Sequence, residues 1–188
     1  MSSDFITGFC DETDAEHDDT VSLMNEIQYD MAYMFAYSMR QKTLAHRRYQ
    51  DNVPNEAMSE RLQEIINSFR SNVQLKNEKC ELDRIRLVLV EGPSSKNKDN
   101  NVNSLWNGRT DQNKRILFPY QDVLLTPVTD DNDTKVSFEI GDYIAVSVDE
   151  VRGHTLRGTP LWRTTLQSFE NDHSYWMTSY EAQKFICT

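Results

Sequence analysis

Apolar residues recur along this chain in two rhythms, and the rhythm changes near residue 84. Phe5 to Phe9 is a short run of β-formers closed by a turn, the pattern of a strand buried in a parallel sheet. Thr13 and Glu16 then stand at capping-box spacing, and Val21, Met24, Ile27 and Gln28 mark one face of a helix. The acids Asp14, Glu16, Asp18 and Asp19 suit the positive end of that helix. Met31 to Tyr37 reads as a second strand, and Ser38 to Val53 as a long basic loop poor in apolar residues. Pro54 sits at the first helical position of a second helix, whose stripe is Met58, Leu62, Ile65, Ile66, Phe69 and Val73. The order is β-α-β-α, the back end of an α/β barrel.

From Arg84 the period becomes two, with Ile85, Leu87 and Leu89 on one face and Arg86, Val88 and Val90 on the other. Gly92 to Ser104 is polar and turn-rich, so it reads as a loop. Strands are predicted over Leu105 to Arg109, Arg115 to Phe118, Lys135 to Ile140, Tyr143 to Val151 and Leu156 to Leu166, with an acidic tip at residues 130–133. Short, evenly spaced antiparallel strands imply a closed barrel. The expected division is an α/β segment over 1–80, an all-β segment over 84–167 and a tail over 168–188.

At 188 residues and 38% apolar content, the chain has material for two small cores. Cys10, Cys80 and Cys187 lie far apart in sequence, so no pair has metal-ligand spacing, and a disulfide framework is not expected. The expected compartment is a reducing one. His17, His46, His154 and His173 share no ligand spacing, and the methionines read as core filling. No apolar run reaches the ~18 residues of a membrane span, and neither a signal peptide nor an Arg-rich transit peptide stands at the amino terminus. The expectation is a soluble chain with no address of its own and no membrane partner.

A net charge of −10 would oppose RNA binding if it were evenly spread, since affinity for RNA rests largely on phosphate neutralisation. Its distribution is uneven. Residues 1–83 hold 8 Lys/Arg against 16 Asp/Glu, whereas residues 84–167 hold 11 against 11. The second segment can therefore present one basic face.

Asn107 to Pro119 (NGRTDQNKRILFP), Gly141-Asp142-Tyr143 and Thr155-Leu156-Arg157-Gly158 resemble the TRAM module, a small OB-like β-barrel that closes several RNA-modifying enzymes. Ser2 to Thr13 (SSDFITGFCDET) and Tyr37 to Thr43 (YSMRQKT) resemble the last two strand segments of the radical-SAM barrel in tRNA methylthiotransferases, in their eukaryotic organellar branch. The resemblance implies a partial radical-SAM barrel followed by an OB-like TRAM barrel. It implies a parent reaction that places a methylthio group at C2 of an N6-prenylated adenosine beside the anticodon, with S-adenosylmethionine and [4Fe–4S] clusters as cofactors. It also implies mitochondrial or other organellar localisation. By the same resemblance Gly8, Phe9 and Glu12 line the adenine side of S-adenosylmethionine, and Ser38 and Arg40 its nucleoside end. This chain departs from the pattern with Cys10 in place of Pro and Asp11 in place of Gly, and the second departure counts against the assignment of this segment to the cofactor, because a glycine in such a turn serves a positive φ that Asp adopts only at some cost.

OB-like barrels hold single-stranded or looped RNA with cations along a groove and aromatic faces for stacking. Arg109, Lys114, Arg115 and Arg157 are the candidate RNA-binding cations, with Arg152 beside them, and Phe118 and Tyr143 the candidate platforms. Glycine next to arginine, at Gly108-Arg109 and Arg157-Gly158, fits close backbone approach to a ligand or a barrel corner. The expected partners are a tRNA anticodon stem-loop and the missing amino-terminal half or a full-length homologue. No cluster is expected on this chain, which lacks the C-x-x-x-C-x-x-C run. It reads as the carboxy-terminal part of an enzyme and silent alone, the alternative being a non-enzymatic RNA-binding or regulatory product.

Overall fold

A computed structural model describes residues 1–94, 105–126 and 134–171. The chain divides into two compact units between Lys76 and Asn77. In the first, β1 (Ser2–Thr7) pairs in parallel with β2 (Met31–Ala36), and α1 (Asp14–Ile27) connects them. The strand begins earlier than the apolar run predicts and stops at Gly8, whose φ of +76° turns the chain. The capping box forms as read: the Thr13 hydroxyl accepts from the Glu16 N–H, while the Glu16 carboxylate accepts from the Thr13 N–H at 2.8 Å. Those bonds from Thr13 hold the Glu16 carboxyl below the usual glutamate range.

A short helix, α2 (Leu44–Arg48), lies inside the segment read as loop. Thr43 caps it, a local side-chain bond that apolar periodicity does not register. The long helix α3 (Asn55–Cys80) starts one residue after Pro54, whose carbonyl accepts from the Met58 N–H at 3.0 Å. Its predicted stripe supplies Ile65, Phe69 and Val73 to a core shared with Phe5, Met24, Tyr29 and Ala32. His17 of α1 and Glu64 of α3 add a polar bolt at 3.0 Å.

In the second unit, β3 (Ile85–Pro93), β4 (Leu105–Thr110), β5 (Arg115–Pro119), β8 (Tyr143–Arg152) and β9 (Thr155–Thr164) close into a five-stranded barrel. Its neighbours are antiparallel except for the closing β5–β9 pair, which is parallel. Two-residue strands β6 (Val123–Leu124) and β7 (Lys135–Val136) extend the sheet beyond β9. The predicted strand over Lys135 to Ile140 is thus strand at its first two residues only. Phe138 instead turns into the core with Val88, Val90, Ile116, Phe118, Ile144, Val146, Val148 and Leu156. On β3 the inward face is that of Val88 and Val90, and the strand runs on to Pro93 through a bulge at Gly92 (φ +121°) where a loop was expected.

Gly108 and Gly158 belong to barrel closure. A β-carbon at Gly108 would stand 2.5 Å from the Leu89 carbonyl oxygen, and one at Gly158 would sit on the carbonyl of Ser147. Both positions face neighbouring strands, so the corner reading of these glycines holds and the ligand-approach reading does not. The loop over 95–104, the acidic tip at 130–133 and the tail from 172 lie outside the described residues.

Candidate functional site

Inward positions on β4, β5 and β9 fix what faces outward, because side chains alternate along a strand. With Gly108, Ile116 and Leu156 inside, Arg109, Arg115 and Arg157 fall on one outer face of three adjacent strands. Arg109 lies directly opposite Arg115 in the β4–β5 register, and Arg157 opposite Leu117 in the β5–β9 register. Like charges directly opposed across an antiparallel pair destabilise it, so this juxtaposition is one that folding alone does not favour.

Their protein contacts are long. The Arg109 Nη1 donates to the Asn113 carbonyl at 3.2 Å, and its Nε lies 3.5 Å from the Glu91 carboxylate. Arg115 donates to the Asn107 Oδ1 at 3.4 Å, and the Arg157 Nη1 stands 3.8 Å from Glu150. Each guanidinium has five donors, so these contacts leave fork positions open to a polyanion. Arg152 is more exposed and pairs with Glu150 at 2.7 Å.

Lys114 is a correction. Its ammonium is buried, donating to the Asn77 Oδ1 at 2.8 Å and the Glu81 carboxylate at 2.7 Å; Arg86 meets the same Glu81 at 2.6 Å. A buried cation satisfied in this way cannot meet a phosphate without breaking the network, so Lys114 leaves the RNA-binding set. Phe118 is likewise corrected, since it is fully buried with its ring edge-to-face on Phe138 at 5.9 Å. Tyr143 is half-buried on β8. An aromatic pair the sequence reading missed, Trp106 and Tyr120, stacks at 4.6 Å with an interplanar angle of 21°. Carrying the alternation of Ile116 and Phe118 one step further would have reached Tyr120.

At the carboxyl ends of β1 and β2, Asp11 adopts the left-handed φ of 64° that the departure from Gly requires. Reciprocal bonds hold it: its N–H donates to the Asn52 Oδ1 at 2.9 Å, and the Asn52 amide donates to its carboxylate at 2.6 Å. Glu12 accepts from the Gly8 N–H at 2.7 Å and from Arg61 at 2.8 Å. Arg61 also reaches Asp14 at 2.6 Å, and that bond first, then Glu12, raises its pKa above the ordinary arginine value. Asp11, Glu12, Asn52, Val53, Pro54, Ala57 and Arg61 line an open cleft of about 210 Å³. Gly8 makes its close approach to Met58, whose Cγ would stand 2.5 Å from an added β-carbon. Phe9, Ser38 and Arg40 are exposed.

No protein-family model matches the chain. It is 42% identical over 167 residues to the mouse protein named mitochondrial tRNA methylthiotransferase CDK5RAP1, covering 89% of this chain and 27% of that one. It is 40% identical over 174 residues to a rice CDK5RAP1-like protein (93% and 28%), and 45% identical over 137 residues to a tRNA-2-methylthio-N(6)-dimethylallyladenosine synthase of Amoebophilus asiaticus (69% and 27%). This chain is homologous to part of the tRNA methylthiotransferases. It spans between 27% and 28% of the length of these relatives.

Cys10 is buried and free, whereas Cys80 is disulfide-bonded, against the expectation of unpaired thiols. Among the described residues no group of three or more His, Cys, Asp or Glu side chains is arranged to hold a metal ion. No described helix is long and apolar enough to cross a membrane.

Proposed function

We propose that this chain forms the RNA-holding barrel and part of the cofactor wall of a tRNA methylthiotransferase acting on N6-prenylated adenosine beside the anticodon, in an organelle. The opposition of Arg109 and Arg115 on an outer face that also carries Arg157 supports the RNA-holding role. The arginines seat phosphates of the anticodon stem-loop by charge-assisted bonds, and the barrel keeps them at fixed register. At the ends of β1 and β2, Phe9 offers an exposed ring, Ser38 a hydroxyl and Arg40 a cation toward S-adenosylmethionine, while Glu12, held by Arg61, fixes the turn from Gly8. S-adenosylmethionine, when bound, supplies the methyl group and the radical chemistry of the family. The clusters belong with residues outside the part of the relatives that this chain matches.

Fluorescence anisotropy of the full chain with a labelled anticodon stem-loop at two salt concentrations tests the reading. Binding should be weak and should fall as salt rises, because phosphate contacts release counterions. Arg109→Ala and Arg157→Ala should each weaken it by about 1 kcal/mol or more, the scale of a charge-assisted contact. An absence of salt-dependent binding at low ionic strength, or two arginine variants that bind like the parent, would remove the RNA-holding role and leave the barrel a structural closure.

A further inference from the structure

We infer that Tyr120, stacked on Trp106, is a platform for one unpaired base of the bound RNA, an inference that rests on the RNA-holding role of the barrel. The two rings lie nearly parallel, and Phe138 braces both from beneath, with its ring edge-to-face at 5.6 Å to Trp106 and 5.0 Å to Tyr120. Phe138 is fully buried and Trp106 packs against the barrel core, so the stack stands on a fixed base. Tyr120 is 42% exposed. A ring held this way has lost its mobility on folding, so stacking a base on it carries little further ordering cost.

Its position fits the same ligand as the arginines. Tyr120 follows β5, five residues beyond Arg115, a span of about 16 Å along an extended strand. Trp106 is near the start of β4, and Arg109 near its end, so one β4–β5 hairpin carries guanidinium forks toward its turn and the aromatic stack toward its open end. The alternation that turns Ile116 and Phe118 inward puts Trp106 and Tyr120 at the rim of the barrel and the arginines on its outer wall, so a single strand of a few nucleotides, the lower part of the range that one OB-type barrel engages, crosses that rim to reach both. Pairs inside a helix are stacked on both faces and present none to such a ring, so within a stem-loop the occupant is an unpaired base of the loop. The stack therefore selects looped over fully duplex RNA, a discrimination the arginines cannot make, since phosphates carry no information about pairing at this level.

The experiment compares the full chain with its Tyr120→Ala, Tyr120→Phe and Tyr120→Leu variants, titrated against a labelled stem-loop with an unpaired loop and against a blunt RNA duplex of equal phosphate count, each at two salt concentrations. Tyr120→Ala should lose between about fivefold and about hundredfold in affinity for the stem-loop, the range of one stacked base. It should keep its duplex affinity and its salt slope, because no counterion is released by stacking. Tyr120→Phe should bind as the parent does. If Tyr120→Ala fails to fold, Tyr120→Leu, which keeps the apolar cover over Phe138, should show the same selective loss. Equal losses on both RNAs, or a Tyr120→Ala and Tyr120→Leu pair that both bind the stem-loop within twofold of the parent, overturn the platform while leaving the arginine face standing. A parent chain that binds neither RNA overturns both.

Discussion

In the unit that ends at Lys76, two parallel strands bury one face against α1 and α3 and present Ile6, Tyr33 and Phe35 on the other, 56%, 57% and 53% exposed. In the unit that starts at Asn77, five strands of the sheet close on themselves, and the residues of their inner face are almost wholly buried. A closed sheet has no free edge within its ring and a single apolar side, so its outer face is available for polar work such as the arginine cluster. A two-stranded parallel sheet has both edges open, and its stability rests on the helices beside it and on local devices such as the Thr13–Glu16 cap. The polar chemistry of that unit consequently sits in turns at strand ends, around Asp11 and Glu12, and the barrel's on strands.

The largest effect expected is at the charge network of the second unit. Glu81 is 1% exposed and neutralises Lys114 and Arg86 together, so Glu81→Ala leaves two cations with their buried partner gone. Removing one partner of a buried pair costs about 3 to 5 kcal/mol. Urea denaturation followed by the fluorescence of Trp106 and Trp162, both in the barrel, should show that loss. Hydrogen exchange in β1 and β2 should stay at the parent level. A loss under about 1 kcal/mol, on a scale where exposed pairs contribute that much or less, would mean the network is solvated and the contrast between the units is misdrawn.

That network also shows where sequence reading stops. The Thr13–Glu16 cap and the stripe of α3 were legible because their partners lie three or four residues away, within the reach of periodicity. Lys114 meets Glu81 and Asn77 across 33 and 37 residues, and nothing near Lys114 distinguishes it from a solvated cation. Which face of β3 turns inward was not legible, because Ile85, Leu87 and Leu89 are as hydrophobic as Val88 and Val90; barrel closure, a non-local event, decides it. Strands β6 and β7, at two residues each, are shorter than any alternation can reveal. The arginine face was legible in its residues, but their shared side of the sheet required the register.

Glycine substitutions sharpen the comparison at smaller magnitude. In the barrel, Gly158→Ala sets a β-carbon against the Ser147 backbone carbonyl and 2.7 Å from Val146 Cγ1, and a paired strand yields little; overpacking of this kind costs about 1 to 3 kcal/mol. In the first unit, the atoms facing Gly8 are the Cγ and Cβ of Met58, 2.5 and 3.2 Å from the added carbon; rotation of that side chain relieves the closer contact, so Gly8→Ala meets the strain of φ +76°, about 1 to 2 kcal/mol, with side-chain rather than backbone crowding beside it. Gly158→Ala should therefore cost more, read by tryptophan fluorescence, than Gly8→Ala, read by hydrogen exchange in β1 and β2. The reverse order would show that backbone strain outweighs strand crowding here.

The smallest effect separates the two units by function. Glu150 stands opposite Arg157 in register and pairs with both Arg152 and Arg157, so in the free protein it occupies donors that a phosphate would use. Exposed ion pairs of this length contribute about 0.2 to 1 kcal/mol, so Glu150→Gln frees the arginines at little structural cost and should tighten RNA binding by about 1.4- to 5-fold. Asp18→Asn, on the exposed side of α1, removes the same unit of charge from the acidic first unit. At physiological salt the Debye length is about 8 Å, so only charges within about that distance of the RNA contribute to its binding. Anisotropy titrations of the two variants at that ionic strength should show tightening for Glu150→Gln and none for Asp18→Asn. Equal tightening by both would mean that net charge, not the β4–β5–β9 face, governs RNA binding, and weaker binding by Glu150→Gln would mean that Glu150 orients Arg157 for the phosphate instead of competing with it.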